Sequence, residues 1–178
     1  VRQCCKPEVE TGHHDRLWKS NASLVLIACG VSAPAHCAVA AEDERLGGMV
    51  LIEPYVHFPR LADLANSPIQ PDGMYRFMEL GVINMIGREM LNEEWESMAQ
   101  FRNPLTLAEK GGLDHMPILH VAAEKSPLAE MGRRFSKVFK TRNAPYYHYA
   151  QLPGSSPHFW RNRQELIDVV SFWIDELK

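Results

Sequence analysis

The fold is decided by the stretch Ser23-Leu-Val-Leu-Ile-Ala-Cys29, which continues into Gly30-Val-Ser-Ala-Pro34. Its first part is a continuous apolar run, a pattern typical of a strand buried on both faces. Gly30 ends this strand, and residues 34–42 are predicted to form a short Ala-rich helix, because proline fits the first turn of a helix. A second run, Met49-Val-Leu-Ile-Glu53, is predicted to be another buried strand. Strand, helix and strand in this order form a βαβ unit, so we expect the two strands to be parallel.

The same alternation returns in the second half of the chain. Residues 117–123 and 146–152 are predicted to be strands, and residues 127–141 a basic amphipathic helix. A last helix carries one apolar stripe, made by Leu166, Val169, Val170, Trp173, Ile174 and Leu177. Residues 55–116 interrupt the alternation, and the apolar residues within 74–102 recur at helical spacing. We therefore predict an α/β domain over 23–178 with a parallel sheet, a helical cap insertion at about 55–116 and a tail or loop over 1–22.

Composition excludes several classes of protein. The 178 residues are 46% hydrophobic and 23% charged, which is enough apolar content for one folded domain and too much for a disordered chain. The 19 basic residues are outnumbered by 22 acidic ones, which argues against nucleic-acid binding driven by charge. The apolar run Leu24 to Cys29 is too short to span a membrane.

The cysteines indicate a reducing compartment. Cys4 and Cys5 are adjacent, which is poor geometry for a bond between them, and Cys29 and Cys37 lie in apolar surroundings typical of reduced core thiols. We therefore expect a cytoplasmic location.

Polar residues follow each predicted strand. Ser32 follows the first, Glu53 the second, Glu124 the third, and His158 lies in the loop after the fourth. Because ligands of open α/β sheets bind at the carboxyl ends of the strands, a hydroxyl, carboxylates and an imidazole are expected at one edge of the sheet.

Ser32 lies in a tight strand-to-helix turn, which is the setting of a nucleophile elbow. Such a turn strains the backbone of the serine and needs small residues two positions away on either side. Gly30 meets this requirement, and Pro34 meets it imperfectly. The amide of Ala33 would then donate to an oxyanion. His158 would act as the general base for Ser32. The alternative for Ser32 is that it caps the following helix. The alternative for His158 is that it is an ordinary surface-loop residue.

With these motifs, the chain from Leu24 to Lys178 resembles the α/β-hydrolase family. The segment 24–34 is similar to the family's strand and elbow, 117–127 to the strand that carries the acid, and 151–159 to the histidine loop before the closing helix. More remotely, the elbow and the C-terminal end resemble hydrolases encoded beside exosortase systems. The resemblance implies a serine hydrolase that cleaves a carboxylic ester or thioester of a small acyl substrate through an acyl-enzyme intermediate, with no cofactor.

The acid of the triad departs from the family pattern. The family's aspartate falls where this chain has Ser126. Glu124 is the nearest replacement, and Glu53 is an alternative, since some members carry the acid after the preceding strand. A carboxylate must hold the imidazole in the correct tautomer. If both glutamates are ordinary solvated strand-end residues, the alternative is a non-catalytic hydrolase-fold binding or interaction protein.

The beginning of the chain departs as well. A complete family member has further strands, and the loop with a second oxyanion donor, before the elbow strand, and the 22 residues before Ser23 are too few to form them. An exposed apolar edge is a liability. We therefore expect a missing N-terminal segment or a second chain to cover the edge of Leu24 to Cys29.

Other sites are less well supported by the sequence. Glu53 follows Gly30 at about the spacing of a Rossmann fingerprint, but the turn has one glycine where that fingerprint needs three. A zinc site at residues 13–15 (His-His-Asp) lacks a second ligand cluster, so a solvated tail is favoured and no metal is expected. The basic residues of 133–140 are interpreted as the solvent face of a helix.

Overall fold

The apolar runs of the sequence pair into a parallel sheet. The computed structural model describes residues 24–58, 60, 62, 88–144 and 146–177. Within these residues, four strands lie side by side in the order in which they occur in the chain. The strands are β1 (Leu24–Cys29), β2 (Leu46–Ile52), β3 (Ile118–Ala123) and β4 (Tyr147–Leu152). All of their pairings are parallel, which confirms the predicted α/β class.

Helices cover both faces of this sheet. The described residues form α1 (Ala33–Glu42), α2 (Arg88–Phe101), α3 (Pro104–Glu109), α4 (Ala129–Thr141) and α5 (Arg163–Glu176). Because side chains alternate along a strand, Met49 and Leu51 of β2 point into a core shared with α1, α3 and α4. Val50 points to the opposite face, where it packs in a second core with Trp173 of α5.

The predicted basic amphipathic helix is α4. Met131, Phe135 and Phe139 are buried on its inner side, while Arg133 and Lys137 are exposed on the outer side. These positions follow the helical period, so the apolar stripe faces the sheet and the charges face solvent.

Part of the predicted helical insertion is described. Helices α2 and α3 lie within it, and Trp95 of α2 is fully buried with its ring centroid 5.2 Å from that of Phe58. Residues 59, 61 and 63–87 lie outside the described residues, as does the predicted tail or loop over 1–22. The boundaries of the domain and of the insertion stay predictions.

Strand β2 begins at Leu46, three residues before the predicted start at Met49. The strand therefore includes the two glycines that precede the apolar run. Gly48 pairs with Val25 of β1. A Cβ atom on Gly48 would lie 3.0 Å from the side chains of both Trp173 and Leu177. The glycine therefore lets α5 pack directly against the strand.

Strand β1 is more exposed than the other apolar runs. Leu24 and Ile27 are 44% and 49% exposed, and among the described residues β1 pairs with β2 alone. The expectation of core thiols is correct for Cys37, whose burial raises its pKa to about 12. It is wrong for Cys29, which is exposed at the end of the strand.

None of the helices that the structure describes is long and apolar enough to cross a membrane.

Candidate functional site

The predicted site residues follow the carboxyl ends of parallel strands, so they meet one edge of the sheet. They do not form one connected group. Glu53 contacts the segment after β3, Glu124 contacts the loop after β4, and Ser32 bonds within its own turn.

The chain turns sharply directly after β1. The last pair of the β1–β2 ladder joins Cys29 to Ile52, and a 3₁₀ turn over Gly30–Ser32 leads into α1. Gly30 has the left-handed φ of +54°. Ser32 has φ −78° and ψ −15°, which is ordinary right-handed helical backbone. The expectation of a strained backbone at Ser32 is therefore wrong, because the ladder ends at Cys29 and the bend falls on Gly30.

The position of the bend decides which side chain the turn presents. In a nucleophile elbow, the reacting side chain stands on the strained residue of the turn and is exposed there. A Cβ atom on Gly30 would have no neighbouring atom within 4 Å. The residue at the bend, Gly30, therefore faces open space and carries no functional group.

The hydroxyl of Ser32 is used inside the turn. Its Oγ donates to the carbonyl oxygen of Cys29 at 3.0 Å and accepts from the amide of Cys29 at 3.1 Å. Ser32 occupies the N-cap position of α1, as the alternative predicts, but its side chain makes no hydrogen bond into the helix. In this arrangement the hydroxyl proton is directed at the backbone and not at a base.

The amide of Ala33 also forms its hydrogen bond inside the turn. Ala33 is fully buried, and its N–H donates to the carbonyl oxygen of Gly30. The amide of Tyr55 donates to the same oxygen at 2.9 Å. An oxyanion donor must point at the reacting group, whereas in this structure the Ala33 amide closes the turn.

Glu53 is a buried carboxylate that joins two strand ends. It follows β2 with an unusual φ of +47° and is 7% exposed. One of its oxygens accepts a hydrogen bond from the amide of Ala123, and the other accepts from the hydroxyl of Ser126. Ser126 also accepts from the amide of Leu128 at 3.0 Å. Glu53, the alternative acid of the triad, is therefore hydrogen-bonded to Ser126, which stands at the position of the family's aspartate.

The environment of Glu53 favours its neutral form. Burial raises its pKa, and the hydrogen bonds from Ala123 and Ser126 oppose that rise because they stabilise the charged form. The sequence-based alternative of an ordinary solvated strand-end residue is therefore wrong for Glu53.

Glu124 holds the beginning of the histidine loop. Its Oε2 accepts from the amide of Gly154 at 2.6 Å, and its own amide donates to the Oγ of Ser155 at 3.2 Å. Ser155 is fully buried, and its hydroxyl also donates to the carbonyl oxygen of Leu152 at 2.5 Å. The carboxylate of Glu124 thus contacts the loop backbone and not the imidazole.

His158 lies exposed in this loop, with its ring centroid 6.4 Å from that of Trp160. The next residue, Phe159, has a φ of +51° and is buried in the core beneath α5. In the part of the chain that the structure describes, no hydrogen bond joins His158 to Ser32, Glu53 or Glu124.

Three residues that shape the site were missed or misjudged from the sequence. The sequence predicts Gly30 to be a small neighbour of the bend, whereas in the structure Gly30 is the bend itself. Ser155 gives no sequence signal of burial, since it stands among Gly, Ser and Pro. Phe159 does give one, because a large apolar residue in a polar loop needs a core to pack against.

No group of three His, Cys, Asp or Glu residues within the described ranges is placed to hold a metal ion. Residues 13–15, the alternative zinc site of the sequence, lie outside those ranges.

Comparison with known proteins gives structural likeness alone. No protein-family model matches the chain, and no curated protein matches it. Among solved structures, the chain is similar to MenH from S. aureus, with 10% identity, a TM-score of 0.56, and coverage of 99% of this chain and 79% of that one.

Two further structures are similar to the same extent. The enol-lactonase from Burkholderia xenovorans LB400 has 13% identity and a TM-score of 0.54, with 93% of this chain and 70% of that one covered. A thermophilic esterase has 15% identity and a TM-score of 0.55, with 99% and 75% covered. None of the three bears on the resemblance to hydrolases encoded beside exosortase systems, which stays a prediction.

Proposed function

This chain has an α/β-hydrolase fold, and we propose that it is a non-catalytic binding protein built on that fold. The observation that carries the proposal is the glycine at the bend after β1. Gly30 has the positive φ that a nucleophile elbow imposes on the residue that carries its nucleophile, and glycine adopts it without strain. Because glycine has no side chain, the turn has nothing there with which to attack an ester.

The acid side of the site supports the same proposal. An imidazole that acts as general base needs a carboxylate to orient it and to stabilise its charged form. Both oxygens of Glu53 accept hydrogen bonds from Ala123 and Ser126, and Glu124 accepts from Gly154. Both carboxylates thus have backbone or hydroxyl partners, and neither is hydrogen-bonded to His158 in this conformation.

The ligand that we propose is a small acyl compound, bound at the edge of the sheet and not cleaved. His158 offers an exposed hydrogen-bonding imidazole for a carbonyl group, and the ring of Trp160 stands beside it. The two side chains thus present a polar group and an aromatic ring side by side on the surface of the loop.

The second candidate function is a serine hydrolase acting through an acyl-enzyme intermediate. It is favoured by the position of Ser32 and His158 after strands that end at the same edge, and by two similar structures that are named for an esterase and an enol-lactonase. In this mechanism Ser32 attacks the acyl carbon, His158 transfers the proton, Glu124 or Glu53 orients His158, and the Ala33 amide stabilises the oxyanion. Before it can attack, the hydroxyl of Ser32 must break its hydrogen bonds with the backbone of Cys29.

A fluorophosphonate probe separates the two functions. We expect no covalent labelling of the full chain, while an active serine esterase in the same reaction is labelled. Labelling of the chain that disappears in Ser32→Ala, and persists in the control Ser156→Ala, would establish the hydrolase and overturn the binding proposal. Ser156 suits this control because it is an exposed serine in the histidine loop.

Ligand binding needs its own measurement. In saturation-transfer NMR with methyl hexanoate, we expect signal transfer to the intact ester, loss of that transfer in His158→Ala, and no release of methanol. If no transfer occurs to the wild-type chain, the proposed acyl ligand is wrong.

A further inference from the structure

A groove outside the candidate site runs along the solvent side of α4. It encloses about 610 Å³, and the charged residues that line it are Glu109, Glu130, Arg133, Arg134, Lys137 and Arg142. The volume is within the range of small-molecule sites. Positive side chains outnumber negative ones in the groove, although the chain as a whole carries a net charge of −3.

Ion pairs neutralise some of these charges and leave others. Arg133 pairs with Glu130 at 2.8 Å, and Arg142 pairs with Asp114 at 2.7 Å. No carboxylate in the described part of the chain pairs with Arg134 or Lys137. These two cations stand three residues apart on one helix, so they are neighbours on the same surface.

The position of Arg142 is fixed by the backbone. Its guanidinium donates to the carboxylate of Asp114 and to the carbonyl oxygen of Glu109. Gly111, with a φ of +79°, leaves the room for it, because a Cβ atom there would lie 2.2 Å from Nη2 of Arg142. One wall of the groove is therefore held in place without a bound ligand, although the charge of Arg142 is paired with that of Asp114.

The groove also has an apolar part. Val138, half-buried on α4, lines it together with Thr141. The aliphatic stems of arginine and lysine cover apolar surface while their charged ends reach solvent. A ligand in the groove thus meets apolar surface along the helix and positive charge at Arg134 and Lys137.

We propose that this groove binds a small amphiphilic anion, namely a carboxylate or phosphate group on a short aliphatic body. The charged group would lie between Arg134 and Lys137, where it forms charge-assisted hydrogen bonds with side chains that have no carboxylate partner in the described ranges. The aliphatic body would lie against Val138. This site is independent of the function proposed for the edge of the sheet.

The test is isothermal titration of the full chain with four probes: octyl phosphate and octanoate below their micellar concentrations, octanol below its solubility limit, and inorganic phosphate. We expect one or both octyl anions to bind, and octanol and inorganic phosphate to bind at least about tenfold more weakly. Raising the salt concentration should weaken the binding of the anions. Equal binding of octanol would overturn the proposal, and so would the absence of binding by both octyl anions.

Variants locate the binding on α4. Replacing both cations, in Arg134→Gln with Lys137→Gln, should weaken binding by about tenfold. The control Lys140→Gln removes the same kind of charge from an exposed position on the same helix that does not line the groove, and it should leave binding unchanged. Binding that survives in the double variant, or that falls equally in the control, would contradict this site.

Discussion

At the level of single residues, the carboxylate of Glu53 connects segments that are distant in the sequence. It follows β2, yet it accepts hydrogen bonds from Ala123 and Ser126 after β3. The backbone of Glu53 takes a left-handed conformation to do so, which costs a non-glycine residue about 1 kcal/mol or more. The two hydrogen bonds offset that cost.

Glu53 should make the stability of the protein depend on pH. Burial raises its pKa, although the hydrogen bonds from Ala123 and Ser126 lower it. A carboxyl group with a raised pKa in the folded state binds its proton more tightly there than in the unfolded chain. The folded state therefore loses stability as the pH rises from about 4 through the raised pKa. We expect the free energy of unfolding of the wild type to fall relative to that of Glu53→Gln as the pH rises above about 4, as measured by urea denaturation.

The control for this experiment is Glu124→Gln, which removes an exposed carboxylate from the end of the neighbouring strand. Comparing the two variants separates the loss of the buried carboxyl of Glu53 from the loss of any carboxyl at this end of the sheet. Parallel pH curves for the wild type and Glu53→Gln would contradict the expected raised pKa.

At the level of elements, α5 shows how one helix holds a face of the sheet. Trp173 is 7% exposed and packs with Val50 of β2 and Leu119 of β3, whereas its chain neighbour Phe172 is 69% exposed. The two aromatic residues are adjacent in sequence but point in different directions, as the helical period requires.

This pair yields a prediction with an internal control. Trp173→Ala should lower the free energy of unfolding by about 3–5 kcal/mol, because it removes a large buried side chain and leaves a cavity. Phe172→Ala should change it by less than about 0.5 kcal/mol. Urea denaturation of both variants measures the difference. Similar losses in the two variants would show that α5 does not pack as described.

The elements were largely predictable, and the site was not. Continuous apolar runs and helical stripes depend on burial, which the sequence displays directly, so strands and helices were found close to their observed positions. The bend at Gly30 depends instead on where the ladder between β1 and β2 ends. The contact of Glu53 with Ser126 depends on the register between β2 and β3. Neither register follows from local patterns, because each is set by pairing between strands that a helix or the insertion separates in the chain.

At the level of the whole molecule, the strands differ in how fully they are enclosed. Strand β3 pairs with β2 on one side and β4 on the other, and all of its residues are buried. Strand β1 pairs with β2 alone within the described residues, and several of its side chains are exposed.

Hydrogen exchange should reproduce this order. Amides that open only with global unfolding exchange most slowly, and they belong to the most enclosed elements. We expect the amides of β3 to exchange more slowly than those of β1, as measured by NMR or mass spectrometry under native conditions. Slower exchange in β1 than in β3 would contradict this order and would indicate that the edge of β1 is covered, as the sequence led us to expect.

The buried ring of Phe159 has a consequence for binding at the neighbouring residue. Its amide donates to the carbonyl oxygen of Ser156 at 2.8 Å, and its carbonyl oxygen accepts from the amide of Asn162 at 3.0 Å. The backbone that carries His158 is therefore ordered when the chain folds, before any ligand arrives. The conformational entropy of this stretch of backbone is lost during folding, so a ligand bound at His158, as proposed above, would not lose it again on binding.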